Sequence, residues 1–140
     1  MASKPVFADS SFFCALAAKR DAVHDAALAA FDDLVDDDRL MVTTDYIVDE
    51  ALTLTKARTN STVALSLLDR IENSSAVILE LISAVRFEAA KSFFRKHADH
   101  GYSFTDCTSF VVMRELNLTE ALTTDRHFRE AGFKPLLPVA

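Results

Sequence analysis

Glycine and proline are scarce in this chain, two and three residues respectively out of 140. That scarcity leaves little room for a flexible linker or a low-complexity tail. Cysteine is scarce too: Cys14 and Cys107 both lie in apolar segments and form no CxxC pair. They are expected to be reduced thiols of a core, because a secreted domain of this size more often carries a disulfide framework. There is no long apolar run, and no h-region follows the N-terminus, where Met1 to Pro5 leads straight into a β-prone segment. The expectation is a soluble cytoplasmic protein, neither secreted nor associated with a membrane. Positive charge is in deficit as well. A net charge of −6 argues against coating nucleic acid by bulk electrostatics, but it does not exclude cutting it.

What the chain does have is apolar residues, half of the total. One domain over residues 1–140 can therefore build a real hydrophobic core. Residues 5–8 read as a short buried strand and Ser10 to Ala18 as a short helix. A second helix is expected from about Asp21 to Val35, with Val23, Ala27, Leu28, Phe31 and Leu34 on its apolar face. Leu40–Thr43 reads as a strand, Tyr46–Ala57 and Ser61–Ile71 as two helices broken at Arg58-Thr59-Asn60, and Ala76–Leu81 as a third strand. Val85–His97 is amphipathic. Asp106–Leu116 is apolar on nearly all sides and should be a central, buried helix. Ala121–Thr124 is a fourth strand, Arg126–Ala131 a short helix stopped by Gly132, and Lys134–Val139 a last strand whose Pro135 and Pro138 suit an edge. Strands alternating with helices imply an α/β fold: a central, mostly parallel sheet of four to five short strands with helices on both faces.

Four acids stand out in that framework: Asp9, Glu50, Asp106 and Asp125. Three follow short apolar or β-prone runs, Val6-Phe7-Ala8, Tyr102-Ser103-Phe104-Thr105 and Ala121-Leu122-Thr123-Thr124. In an open α/β sheet, chemistry gathers outside the carboxyl ends of the strands, so acids there can meet. A pair of carboxylates about 4 Å apart repels by roughly 4 kcal/mol at an effective dielectric near 20. A hard divalent cation is the usual means of holding them together.

Each acid also has a purely structural reading. Asp9 could cap the helix that follows it. Glu50 lies at the edge of an apolar arc with Ile47, Ala51 and Leu54, and could pair with an arginine or reach out to solvent. Ser103-x-x-Asp106 has the spacing of a capping box, and Asp125 could cap the short helix before Gly132. The block Asp32-Asp33 with Asp36-Asp37-Asp38 reads as the solvated end of a helix, and His97-Ala98-Asp99-His100 as a helix-end cluster. His127 reads as a capping or surface histidine, with a phosphate contact as the alternative.

The order and spacing of the acids resemble the PIN domain, specifically the VapC-like ribonuclease toxins, nearly end to end. The resemblance is carried by Val6-Phe7-Ala8-Asp9-Ser10, by Ile47-Val48-Asp49-Glu50-Ala51-Leu52, and by Ser103-Phe104-Thr105-Asp106. Its most specific stretch is Leu122-Thr123-Thr124-Asp125-Arg126-His127-Phe128 followed by Ala131-Gly132-Phe133. It implies a single PIN-like nuclease domain in which Asp9, Glu50, Asp106 and Asp125 hold one or two Mg²⁺ or Mn²⁺ ions for RNA hydrolysis. Ser10, Ser103 and Thr105 would supply orienting hydroxyls, and Arg126, Arg129, Lys56 and Arg58 are candidates to meet the RNA backbone. The family also implies a homodimer and a cognate antitoxin, for which the helical pair Tyr46–Ala57 and Ser61–Ile71 offers a groove.

Two other classes compete. A PIN-like module that binds RNA or protein without hydrolysis would keep the fold but has no reason to keep a repulsive cluster. A phosphoaspartyl enzyme of the haloacid-dehalogenase type would want Asp-x-Asp after the first strand, where Ser11 stands. A receiver domain would want a lysine after a late strand, and Thr123-Thr124-Asp125 offers none.

Overall fold

Val6–Ala8 has no polar side chain and is completely buried, as a strand covered on both faces must be. It forms β1 in the computed structural model, which describes residues 3–139; Met1, Ala2 and Ala140, the ends of the expected domain, lie outside the described residues. The chain then gives α1 (Ser10–Ala17), α2 (His24–Asp36), β2 (Met41–Thr44), α3 (Asp45–Arg58), α4 (Ser61–Asn73) and β3 (Val77–Glu80). After α5 (Ala84–Lys96) and α6 (Phe104–Glu115) come β4 (Glu120–Leu122), α7 (Arg126–Glu130) and β5 (Lys134–Pro135).

The five strands pair in parallel in the order β3-β2-β1-β4-β5. The chain moves outward from β1 to β3 and then returns across the sheet to β4. Right-handed crossovers place α1–α4 on one face and α5–α6 on the other. Most of the packing follows that division, with α1 against α2 and α3, α3 against α4, and α5 against α6, while α3 also meets α6. The order reverses between β1 and β4, and a crevice opens at such a switch point beyond the strand ends. Asp9 follows β1 and Asp125 lies just beyond β4, so both arrive at that crevice.

The core is rich in phenylalanine. Phe7, Phe12, Phe13, Phe110 and Phe128 are among the largest fully buried side chains, each contributing about 1.5–3 kcal/mol through burial. Phe110 meets Phe128 edge-on at 5.0 Å and Phe133 at 5.6 Å. These contacts fix α6 and α7 relative to each other beneath the crevice. Cys107, Phe110, Val112 and Met113 make α6 the buried helix its composition predicts.

Three expectations change. The second helix begins at His24, because Asp21 Oδ1 accepts the Val23 amide at 2.8 Å and holds the preceding residues in a turn. The buried helix expected from Asp106 starts two residues earlier, at Phe104 under a Ser103 cap, which leaves Asp106 inside its first turn. The last strand shrinks from 134–139 to Lys134–Pro135. Leu136 N still donates to Ala121 O at 2.8 Å, but Pro135 and Pro138 have no N–H to extend a ladder. The aspartate block ends α2 and its turn as expected, with Asp38 at φ 52°. Cys14 and Cys107 are free and buried, and burial pushes the Cys107 thiol up to about 11.

Candidate functional site

Asp9 leaves β1 with its amide bonded to Leu122 O at 3.1 Å, which ties it to β4. It occupies the N-cap position of α1 but makes no side-chain capping bond. Its Oδ2 accepts instead from Thr123 Oγ1 at 2.8 Å and Ser11 Oγ at 2.9 Å. The residue is only 4% exposed. Burial therefore lifts its carboxyl from 3.8 to about 6, against the pull of the two hydroxyls and with a further push from the Asp106 charge.

Glu50 comes from α3, two turns in from Thr44, whose side chain caps that helix by accepting the Ile47 amide. The Glu50 carboxylate accepts a hydrogen bond from Ser10 Oγ, so α1 and α3 are joined at the crevice. Its neighbour Asp49 is exposed on the opposite side. Asp106 completes a capping box: Ser103 Oγ accepts the Asp106 amide, and Asp106 Oδ2 accepts the Ser103 amide, both at 3.0 Å. The oxygen that caps, Asp106 Oδ2, is also the one that lies 3.4 Å from His127 Nδ1, so the cap and the cluster share one atom. Burial raises the Asp106 carboxyl, and the Asp125 and Glu50 charges add to that rise while the Ser103 amide opposes it. Asp125 caps α7 through Oδ1 to the His127 amide at 2.9 Å, and its own amide donates to Thr123 Oγ1 at 3.0 Å.

Among the described residues, no lysine or arginine lies within ion-pair distance of any of the four acids. The arginine partner that would explain Glu50 structurally is absent from that set. The basic side chain at the cluster is His127, whose Nδ1 is 3.2 Å from Asp125 Oδ1 and 3.4 Å from Asp106 Oδ2. One ligand atom each from Asp106, Asp125 and His127 falls within a mutual 4.8 Å. Asp9 and Glu50 stand outside that trio: Asp9 is linked to Asp125 through Thr123 Oγ1, and the Glu50 charge acts on Asp106. Hard carboxylate oxygens at close quarters, without a cationic side chain from Lys or Arg among them, form a donor set suited to a hard divalent cation.

The remaining expected residues divide. Ser10 reaches Glu50, and Ser103 caps α6. Thr105 uses its carbonyl, which accepts Thr108 Oγ1 at 2.6 Å. Arg126 is largely exposed and lies 3.7 Å from Glu130. Arg129, Lys56 and Arg58 are exposed. Arg58 lines a cleft with Lys19 and Arg20, two cations that sequence reading passed over. It also passed over Ser11 and Thr123. Thr123 Oγ1 donates to Asp9 and accepts from Asp125, and so couples two acids from neighbouring strands. Ser11 Oγ in turn accepts the Thr124 amide at 3.0 Å. A signal for both was present, since Asp9 is followed by two serines and Asp125 is preceded by two threonines. His127, read as a surface or capping residue, is instead the imidazole of the cluster. The histidines near residue 100 do end a helix: His97 is the C-cap of α5, and His100 contacts Asp99 at 3.1 Å.

A family model described as PIN domain matches residues 6–134. The chain is 31% identical over 133 residues to the 23S rRNA-specific endonuclease VapC20 of Mycobacterium tuberculosis, covering 95% of this chain and 98% of that protein. The crystal structure of Mycobacterium tuberculosis VapC20, described as a sarcin–ricin loop cleaving toxin, superposes with a TM-score of 0.84 at 30% identity, over 95% of this chain and 99% of the other. FitAcB from Neisseria gonorrhoeae, at 16% identity and a TM-score of 0.61 over 95% of this chain and 97% of its own, shares the fold.

Proposed function

The chain belongs to the PIN-domain family, and from that premise we propose that it is a metal-dependent endoribonuclease: a cytoplasmic VapC-like toxin that hydrolyses RNA phosphodiester bonds and is silenced by a cognate antitoxin. The observation that supports the proposal is the gathering of Asp106, Asp125 and His127 within 4.8 Å, with Asp9 linked to Asp125 through Thr123 and the Glu50 charge acting on Asp106, and with no lysine or arginine paired to any of the four acids among the described residues. A binding module without turnover would gain nothing from that repulsion. The similar VapC20 is named for cleaving 23S rRNA, which makes the sarcin–ricin loop the first substrate to try.

In this reading Asp9, Glu50, Asp106 and Asp125 hold one or two Mg²⁺ or Mn²⁺ ions. The chemistry such an ion supplies is positive charge against the phosphoryl oxygens and a more acidic attacking water. The protein's own part is placement. Thr123 and Ser11 fix the Asp9 carboxylate, Ser10 fixes Glu50, and the capping box fixes Asp106 before substrate arrives. Residues on rigid strand ends and helix starts lose little freedom when the complex forms, which is how preorganised sites gain rate.

The RNA backbone leaves the acids toward Arg126 and Arg129 on α7 and toward Lys56 and Arg58 at the end of α3. α1 and α3 run side by side in the same direction, tied by Ser10 to Glu50 and by Thr55 Oγ1 to Cys14 Sγ at 3.6 Å. The cleft of Lys19, Arg20 and Arg58 therefore lies about 12 Å along that seam from Glu50, at 1.5 Å per helical residue. The antitoxin fills the groove between α3 and α4, where Leu52, Ala64, Leu65 and Leu68 present an apolar lining. Two copies associate through exposed apolar side chains on the open β3 edge. No helix among the described residues is long and apolar enough to cross a membrane.

The test is cleavage of a sarcin–ricin loop RNA by wild type, Asp9→Asn and Asp106→Asn, in Mg²⁺, in Mn²⁺ and in chelator. Wild type should cut only with metal. Each variant should lose more than about a hundredfold, beyond the 10–100-fold cost of altering outer-shell groups, with an unchanged far-ultraviolet spectrum. Equal cutting by the variants or in chelator would defeat the proposal, and tight binding without cutting would favour the non-hydrolytic module.

A further inference from the structure

We propose that His127 is itself a metal ligand, so that the site is a mixed imidazole–carboxylate centre selective for Mn²⁺ over Mg²⁺; this rests on the nuclease reading of the acid cluster. Three observations converge on the side chain. Its Nδ1, and not its Nε2, faces the acids, at 3.2 Å from Asp125 Oδ1 and 3.4 Å from Asp106 Oδ2. Charge-assisted N–H···O bonds run at about 2.7–2.9 Å, so both separations are long for a proton shared directly. They suit neighbouring ligands of one ion better: donors about 2.1 Å from a metal stand roughly 3.0 Å apart in octahedral and 3.4 Å apart in tetrahedral geometry.

The ring is also held where a ligand needs to be held. On its far side lies Gly101, where an added Cβ would come within 3.0 Å of His127 Nε2. Tyr102 approaches the ring edge-on at 5.7 Å. The backbone of the same residue is anchored through its amide to Asp125 Oδ1, so residue 127 touches the cluster twice. Gly101 is one of only two glycines in the chain. It has no positive φ to account for it, unlike Gly132 at φ 97°. The space it leaves is the space the imidazole edge occupies.

The chemical consequence follows from donor preference. Mg²⁺ favours an all-oxygen shell and keeps its waters. Imidazole binds later first-row ions better, in the order that rises from Mn²⁺ through Fe²⁺ and Co²⁺. Exchanging one oxygen ligand for Nδ1 therefore moves the site away from Mg²⁺ and toward the first-row ions, of which Mn²⁺ gains least and is the spectroscopic probe.

The experiment is electron spin-echo envelope modulation of Mn²⁺ bound to the full chain, alongside calorimetric titration with Mn²⁺ and Mg²⁺. Wild type should show a directly coordinated ¹⁴N, replaced by a ¹⁵N signature after ¹⁵N-histidine labelling. His127→Ala should abolish the coupling and weaken Mn²⁺ at least about tenfold, the lower end of what even outer-shell changes cost, with a much smaller effect on Mg²⁺. Gly101→Ala should weaken the coupling by displacing the ring. Because the label marks all four histidines, labelled protein carrying His24→Gln, His97→Gln and His100→Gln should keep the coupling, which decides the matter even if His127→Ala fails to fold. Mn²⁺ that binds and supports RNA cleavage without nitrogen coupling overturns the histidine ligand and leaves the nuclease reading intact. No Mn²⁺ binding at all overturns the histidine ligand, and the nuclease reading falls with it only if Mg²⁺ also fails to bind and to support cleavage.

Discussion

At the scale of the residue, Asp9 shows the electrostatic cost of the site. Its folded-state carboxyl titrates at about 6 rather than 3.8, chiefly because it is buried. Below about pH 6 the metal-free fold therefore holds Asp9 mostly protonated. An acid with a raised pKa gives the folded state its advantage below 3.8 and loses it as pH climbs through 6, so ionisation destabilises the apoprotein near neutrality. Two pKa units correspond to about 3 kcal/mol, an order-of-magnitude figure. Asp9→Asn removes the charge and keeps the shape. In chelator its melting temperature should match wild type near pH 4 and exceed it by several degrees above pH 6.5. Adding Mn²⁺ should raise wild type past the variant, since a ligand of the native state stabilises by mass action. A constant difference between the two across pH would contradict this account of Asp9.

At the scale of the element, the carboxylates depend on helix starts. Ser103 and Asp106 cap α6 reciprocally, so the cap that begins the helix also aims the acid. Ser103→Ala should cost about 1 kcal/mol of stability, read by urea denaturation. It should lower cleavage more than that loss explains, because Asp106 is freed to rotate. Ser103→Thr, which can still cap, should restore both.

Helices and strands with strong apolar periodicity were legible in the chain, and so was the sheet they build. The four acids were legible because three stand beside apolar runs and Glu50 interrupts an apolar arc. Boundaries set by single side-chain bonds were less so: the Asp21 turn delays α2, and two prolines cut short β5. His127 escaped because local spacing makes it a helix-cap residue, and only the tertiary approach of Gly101 and Asp106 gives it a second role. The start of α6 moved from Asp106 to Phe104 because the Ser103 cap commits Phe104 and Thr105 to helix despite their β-prone character.

At the scale of the whole molecule, the fold leaves apolar surface on one flank. Leu79, Leu81, Val85 and Phe94 are 51%, 61%, 79% and 43% exposed along β3 and α5, on the sheet edge away from β5. Apolar patches of this kind mark association surfaces. Leu81→Glu combined with Val85→Glu should convert a dimer to a monomer in light scattering while leaving the acid cluster untouched. A wild type already monomeric at micromolar concentration would refute the dimer.

The central claim is that acids from β1, α3, α6 and the β4–α7 junction together form one divalent-cation site. Anomalous diffraction from a crystal soaked in Mn²⁺, collected near the manganese edge, tests it most directly. The account predicts a strong peak between the carboxylates of Asp9, Asp106 and Asp125, with Glu50 at its border. A well-ordered crystal in millimolar Mn²⁺ with no peak there, or with its manganese on the surface aspartates of α2 instead, would contradict it.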